Sequence, residues 1–201
     1  MKILAFSDLH LSHAHARPIV EASQTADLVI AAGDLCGIRQ GLDEAMTMLA
    51  AISAPILTVP GNVESEAELR AAALQNMTVL HGQGHEVAGL RVFGLGYAVP
   101  PPPFGDWSCN LTEDEAEAML APCKATDILI THSPPKGIGD VTSGGLSVGS
   151  TAVRNTITRL QPQLALCGHI HESWGQSGRI GATPVHNLGP TPNWFDIAPC
   201  F

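Results

Sequence analysis

KILAFSDLH, residues 2 to 10, opens with a short apolar run and turns polar at Ser7-Asp8-Leu9-His10. An apolar run of this length without alternation is the pattern of a strand buried on both faces. It ends in two side chains able to bind a cation. Four further runs repeat the arrangement. DLVIA at 27 to 31 leads to Gly33-Asp34, PILTV at 55 to 59 to Gly61-Asn62, DILIT at 127 to 131 to His132, and QLALC at 163 to 167 to Gly168-His169-Ile170-His171. Between the early runs lie helical patterns, ARPIVEAS at 16 to 23, GLDEAMTMLAAI at 41 to 52 and ESEAELRAAAL at 64 to 74. Strand, helix and strand joined by short loops indicate an α/β fold with a largely parallel sheet.

The rest of the chain breaks that rhythm. EVAGLRVFGLG at 86 to 96 alternates around Ala88-Gly89 as a hairpin does. After residue 172, SWGQSGRI, TPVHNL and NWFDIA read as short antiparallel strands. Two sheets, or one mixed sheet with antiparallel edges, accommodate this better than a doubly wound fold. Two long irregular segments remain, a proline-rich one at 97 to 110 and a Gly/Ser-rich one at 133 to 150. Loops of this length in a compact domain are often functional.

The 201 residues fit a single domain spanning 1 to 201, with 45% hydrophobic and 14% charged residues. A formal net charge of −9 works against polyanionic partners, so nucleic acid and anionic lipid are disfavoured, and a nuclease with them. The N-terminus lacks the apolar core of a signal peptide, and no segment approaches the roughly 18 apolar residues of a membrane helix. Cys36, Cys109, Cys123, Cys167 and Cys200 are odd in number and form no CxxC pair. The expectation is a reduced, cytoplasmic chain.

Each strand-end motif alone is ordinary. Asp8 and His10, or His169 and His171, are two apart, so an extended backbone would point each pair to one side. Asp34 doubles as a helix cap and Asn62 as a turn residue. Their order is less ordinary: Asp8, Asp34 and Asn62 are separated by 26 and 28 residues, about one strand-helix-strand repeat. Ligands of open α/β sheets gather at the carboxyl edge of the strands, where all these residues fall.

With DxH, GD, GN, a lone His and GHxH in this order from Asp8 to His171, the chain resembles the calcineurin-like metallophosphoesterase superfamily. The resemblance implies an α/β/β/α sandwich of two packed mixed sheets flanked by helices. It also implies two divalent cations, one held by Asp8, His10, Asp34 and His171 and the other by Asp34, Asn62, His132 and His169. Asp34 would bridge, and Asp34, Asn62 and His132 would stand at the catalytic centre. The mixed carboxylate, amide and imidazole set suits Mn, Fe, Zn or Ni better than Ca. The activity so implied is hydrolysis of a small phosphoester, a phosphodiester or activated phosphomonoester, by metal-bridged hydroxide. The segment 133 to 150 resembles small prokaryotic members and the brain-type cyclic nucleotide phosphodiesterases, which favours a phosphodiester.

One position departs from the pattern. Much of the family has a histidine after the GN motif that contacts the phosphate; here Val63 follows Asn62. Glu64 then reads as a helix-start charge. Without a general acid, worth about 10² to 10⁴-fold, good leaving groups are the expected substrates, unless His13 or Glu64 substitutes. The rival reading is a weak or inactive scaffold that binds proteins, as one family member does; the complete set of seven ligands favours catalysis. Among other residues, His13 and His15 are candidates for substrate contact, and His186 and Asn187 for support of the metals. Asp140, Ser147 and Ser150 are candidates for the pocket wall, with Lys136 the cation nearest His132. His81 and His85 read as incidental.

Overall fold

The computed structural model describes residues 1–198, so Cys200, read above as a reduced cysteine, lies outside them. The other four cysteines are free thiols. One sheet holds four parallel strands, β1 (Lys2–Phe6), β2 (Leu28–Ala31), β3 (Ile56–Thr58) and β4 (Met77–Val79). The last strand, β11 (Asn193–Asp196), closes its edge antiparallel to β1, giving the order β11-β1-β2-β3-β4. The second sheet runs β5-β6-β7-β8-β10-β9. It comprises β5 (Gln83–Val87), β6 (Leu90–Leu95), β7 (Ile128–Thr131), β8 (Leu164–Cys167), β9 (Ser177–Ile180) and β10 (Thr183–Asn187). The hairpin β5–β6 turns at Ala88-Gly89, as its alternation indicated.

Residue parity explains the layers, since alternate side chains of a strand face opposite ways. Ile3, Ala5, Leu28, Ile30 and Leu57 of the first sheet pack against Val92, Ile128, Ile130, Leu164 and Leu166 of the second. Their neighbours Leu4, Phe6, Val29 and Ile56 face a second core with Ile19, Leu49 and Leu69, from helices α1 (His13–Ser23), α2 (Leu42–Leu49) and α3 (Glu66–Ala72). Phe93, Leu129 and Ala165 face Ala116, Leu120, Val153 and Ile157 of α4 (Glu113–Leu120) and α5 (Thr151–Leu160). The architecture is therefore two mixed sheets packed face to face between helical layers. Among the described residues no helix is long and apolar enough to cross a membrane.

Helices α4 and α5 have no counterpart in the sequence expectations. The α5 stretch TAVRNTITRL is rich in β-branched residues, which are modest helix formers. Its start is secured from outside: Ser150 caps it, and the Glu113 carboxylate accepts the backbone N–H groups of Thr151 and Ala152 at 2.9 and 2.8 Å. A carboxylate at a helix N-terminus satisfies free donors and complements the dipole. Helix α3 begins two residues later than its sequence pattern, at Glu66 behind the cap Ser65, which leaves Glu64 outside the helix.

An ion pair between a buried carboxylate and a half-exposed guanidinium ties the two strand starts of the second sheet. Asp127, 3% exposed, accepts from the Arg91 backbone N–H at 2.9 Å and from its guanidinium at 3.0 and 2.9 Å. These bonds from Arg91 hold the Asp127 carboxyl at about 2, below the usual carboxylate range. A depressed carboxyl contributes stability above its unfolded value near 3.8 and loses it as pH falls through about 2. Asp127→Asn is expected to lower unfolding free energy at pH 7 by about 2 kcal/mol, and by progressively less below pH 3.8. Urea denaturation of both proteins at several pH values measures this; an unchanged midpoint at pH 7 would contradict it.

Candidate metal centre

All seven sequence-predicted side chains meet where the two sheets' carboxyl ends come together. The ligand atoms of Asp8, His10, Asp34 and His171 lie within 4.8 Å of one another, as do those of Asp34, His132 and His169. Asp34 belongs to both groups. Its Oδ2 stands 3.5 Å from His10 Nε2 and its Oδ1 3.4 Å from His132 Nε2. The Asn62 side-chain oxygen completes the second group, 3.1 Å from His132 Nε2.

The route of convergence differs from the expected same-side strand spacing. β1 ends at Phe6 and β8 at Cys167, so the motif residues lie beyond the strands. Asp8, His10, Asp34 and His169 adopt φ of 54°, 45°, 57° and 70°, the left-handed region that side chains rarely occupy. Such strained non-glycine positions concentrate at functional sites. Glycine is needed where these loops touch. A Cβ at Gly168 would come within 2.6 Å of Asp8 Oδ2, and one on Gly61 would collide with the Asp34 carboxylate.

Hydrogen bonds around the site orient its inward ligand atoms. His132 Nδ1 lies 2.8 Å from the Ala32 carbonyl and must donate to it, so the neutral imidazole would turn its Nε2 lone pair inward. His10 Nδ1 faces the Cys36 carbonyl at 3.3 Å, with the same effect, and His10 Nε2 is 3.2 Å from His171 Nε2. The Asn62 amide donates to Ser108 Oγ at 3.3 Å, so its oxygen faces His132. Asp8 Oδ2 receives the Trp174 indole N–H at 3.0 Å and the Ser7 hydroxyl, while the His169 backbone N–H bonds its Oδ1 at 3.0 Å. Carboxylate, amide and imidazole ligand atoms thus face one another at 3.1 to 3.5 Å, and once His132 gives up its second proton its inward nitrogen offers a lone pair as well. A cation is the partner such a donor set fits.

Glu64 corrects the sequence expectation. It is fully buried and stands outside α3 rather than serving as a helix-start charge. Its Oε1 accepts the backbone N–H groups of Gly61 and Asp34 at 2.7 and 2.8 Å, and the Cys36 thiol donates to its Oε2 at 3.4 Å. One carboxylate therefore binds the GD loop to the GN loop. Burial and then the Asp34 charge push the Glu64 carboxyl up, and the Gly61 N–H opposes them. Asp34 in turn accepts from the Asn62 and Val63 N–H groups at 2.8 and 3.1 Å.

Electrostatics at the site follow from burial and these pairings. Burial alone would raise the Asp34 carboxyl, but His132 chiefly, then His10 and His169, outweigh it and hold the group below the carboxylate range. Burial alone would lower the His132 imidazole, but the Asp34 carboxylate pushes it up to about 9. Burial and the neighbouring His132 bring His169 down to about 3, so it is neutral at pH 7. Because its value is raised, His132 adds stability to the cation-free chain that is complete below 6.5 and lost as pH rises through about 9. Cation binding requires neutral imidazole, so uptake at pH 7 is expected to release about one proton per chain. Calorimetric titration with Mn²⁺ in two buffers of unlike ionisation enthalpy reads that number; a release of zero would contradict it.

Other sequence candidates fall elsewhere. His13 lies inside α1 and pairs with Glu44 at 3.1 Å, and His15 is exposed on the same helix. Asp140 and Ser150 are fully buried and do not line a pocket. Asp140 accepts the N–H groups of Gly137 and Gly149 and the Ser147 hydroxyl, drawing the segment 133–150 together, and Ser150 caps α5. Lys136 donates to the Ser147 carbonyl of that segment. Asn187 does support the site: its amide donates to the Gly168 and Ile170 carbonyls at 3.2 and 3.1 Å, fixing the GHxH turn. His186 instead packs its ring on Phe195. His81 accepts from Gly96 N–H, and His85 lies on the exposed strand β5. Trp174 and Ser108 were not foreseen. Nothing in a lone Trp or Ser marks it, and their contacts span 166 and 46 residues.

Comparison with known proteins agrees with this architecture. Residues 1–198 match the Calcineurin-like phosphoesterase superfamily domain. Human Metallophosphoesterase domain-containing protein 1 is 34% identical over 145 residues, 70% of this chain and 42% of that protein. The chain thus spans less than half the length of the curated relatives it matches. The structure of TT1561 from Thermus thermophilus superposes with a TM-score of 0.75 at 20% identity, covering 94% of this chain and 88% of that one. Purple acid phosphatase PPD1 from yellow lupin gives 0.59 at 14% identity over 98% of this chain and 46% of that one. These structural likenesses speak for the fold. With two mixed sheets between helices, a cation-ready edge and a family match across nearly all its length, the chain belongs to the calcineurin-like phosphoesterase superfamily.

Proposed function

We propose that the chain is a metal-dependent phosphoesterase that hydrolyses a phosphodiester or an activated phosphomonoester. Asp8, His10, Asp34 and His171 would hold one divalent cation, and Asp34, Asn62, His132 and His169 a second. Mn, Fe, Zn and Ni suit the mixed donor set. Bound in pairs, such cations activate water, orient the phosphate and neutralise charge developing in an in-line displacement. The observation that carries the reading is the cluster of ligand atoms of His10, His132, His171, Asn62 and Asp34 that face one another at 3.1 to 3.5 Å.

The chain's own contribution is preorganisation. Ala32 and Cys36 carbonyls orient the imidazoles of His132 and His10, Ser108 turns the Asn62 oxygen inward, and Trp174 and Ser7 bond one Asp8 oxygen while the His169 N–H bonds the other. Val63, buried and apolar, brings no proton donor to the leaving group. That absence favours substrates whose leaving group departs as a stable anion. It also motivates a second reading, an inactive scaffold of the same fold.

The test is release of p-nitrophenol from bis(p-nitrophenyl) phosphate and p-nitrophenyl phosphate by Mn²⁺-loaded protein, with metal content measured on the same sample. Turnover and about two metals per chain are expected. Absence of turnover with metals bound selects the scaffold, and a stoichiometry near zero rejects the site itself.

A further inference from the structure

We infer that the surface beside Val63 is a wall that selects a planar aromatic leaving group, an inference that rests on the phosphoesterase reading above. Two surface segments are strapped by backbone hydrogen bonds to the Asn62-Val63 dipeptide. Arg39 N–H donates to the Val63 carbonyl at 2.8 Å, which places Ile38, 56% exposed, one residue from that strap. Cys109 N–H donates to the Asn62 carbonyl at 2.9 Å, and the preceding Ser108 receives the Asn62 amide. In the same loop Phe104 and Trp107 stack, their ring centroids 5.5 Å apart at 13° between planes. Phe104 is 52% exposed.

Exposed large apolar side chains are few among the described residues: Ile38, Phe104, Val141, Leu146 and Trp194. Two of these five stand on segments tied to a single dipeptide of the candidate centre. Trp107 directly precedes Ser108, whose hydroxyl touches the Asn62 side chain. An offset aromatic stack left open to water offers a further ring a flat apolar face.

The chemistry of the centre points the same way. In the hydrolysis, a water oxygen bonds to phosphorus as the bond from phosphorus to the ester oxygen breaks. The ester oxygen leaves with the bonding pair, and the proton from water passes to solvent. Val63 donates no proton, so the leaving oxygen must bear the charge. An aryl oxide does so by delocalising it into the ring that the Phe104–Trp107 face would receive.

Isothermal titration calorimetry of Mn²⁺-loaded protein with phenylphosphonate and methylphosphonate tests this without turnover. Phenylphosphonate is expected to bind about tenfold more tightly. In the double variant Phe104→Ala/Trp107→Ala the preference should fall to about twofold or less, with methylphosphonate affinity and metal content retained. Trp107→Phe, which keeps the stack, should keep the preference. Equal affinities in the native protein, or an unchanged preference in the double variant, overturn the aromatic wall while phosphonate binding leaves the phosphoesterase reading intact. Failure to bind either phosphonate overturns both.

Discussion

Asp34→Asn is expected to lower the Mn²⁺-dependent kcat/KM for bis(p-nitrophenyl) phosphate by about 10³-fold or more, and to reduce bound metal from two ions to one at most. The carboxylate serves both ligand groups, Oδ2 toward His10 and Oδ1 toward His132. Asparagine keeps the shape and one oxygen to accept from the Asn62 and Val63 N–H groups. It replaces the other oxygen with a donor and removes the negative charge that two cations would share. The chain should therefore fold while the centre fails, which separates loss of chemistry from loss of structure. Each tenfold loss in rate corresponds to about 1.4 kcal/mol of transition-state stabilisation, so the predicted effect exceeds about 4 kcal/mol. A variant that kept both metals and more than about a tenth of the native rate would show that Asp34 is not the bridge.

Glu64→Ala is expected to cost about 3 kcal/mol of folding stability in the metal-free chain and to abolish retention of the second metal. The substitution strands the N–H groups of Gly61 and Asp34 without an acceptor in a site sealed from water. It also opens a cavity where the carboxylate joined the loops carrying Asp34 and Asn62. Glu64→Gln preserves one acceptor for those two N–H groups but turns a donor toward the Cys36 thiol and backbone, so an intermediate loss is expected. Thermal melts of both variants with and without Mn²⁺ measure the two effects separately. Native stability and metal content in Glu64→Ala would reduce Glu64 to a bystander.

The order of strand-end motifs was legible in the chain because metal-binding chemistry restricts residue type and the strand-helix-strand repeat restricts spacing. Asp8, Asp34, Asn62, His132, His169 and His171 announce themselves as polar residues after apolar runs of four or five. The core strands were legible for the same reason, since burial on both faces suppresses alternation. Less legible were α4 and α5, whose starts depend on capping by side chains as well as on propensity. The contrast is clearest at Asn62-Val63-Glu64. Sequence identifies an amide ligand, a missing acid and a charge of uncertain use. Packing alone decides that Glu64 points inward to clamp two loops, that Ser108 turns the Asn62 oxygen toward His132, and that Trp174 holds Asp8 from 166 residues away. A side chain's type is local information. Its direction and hydrogen-bond partner are set by segments remote in the chain, and these meet only when the two sheets close over their shared core.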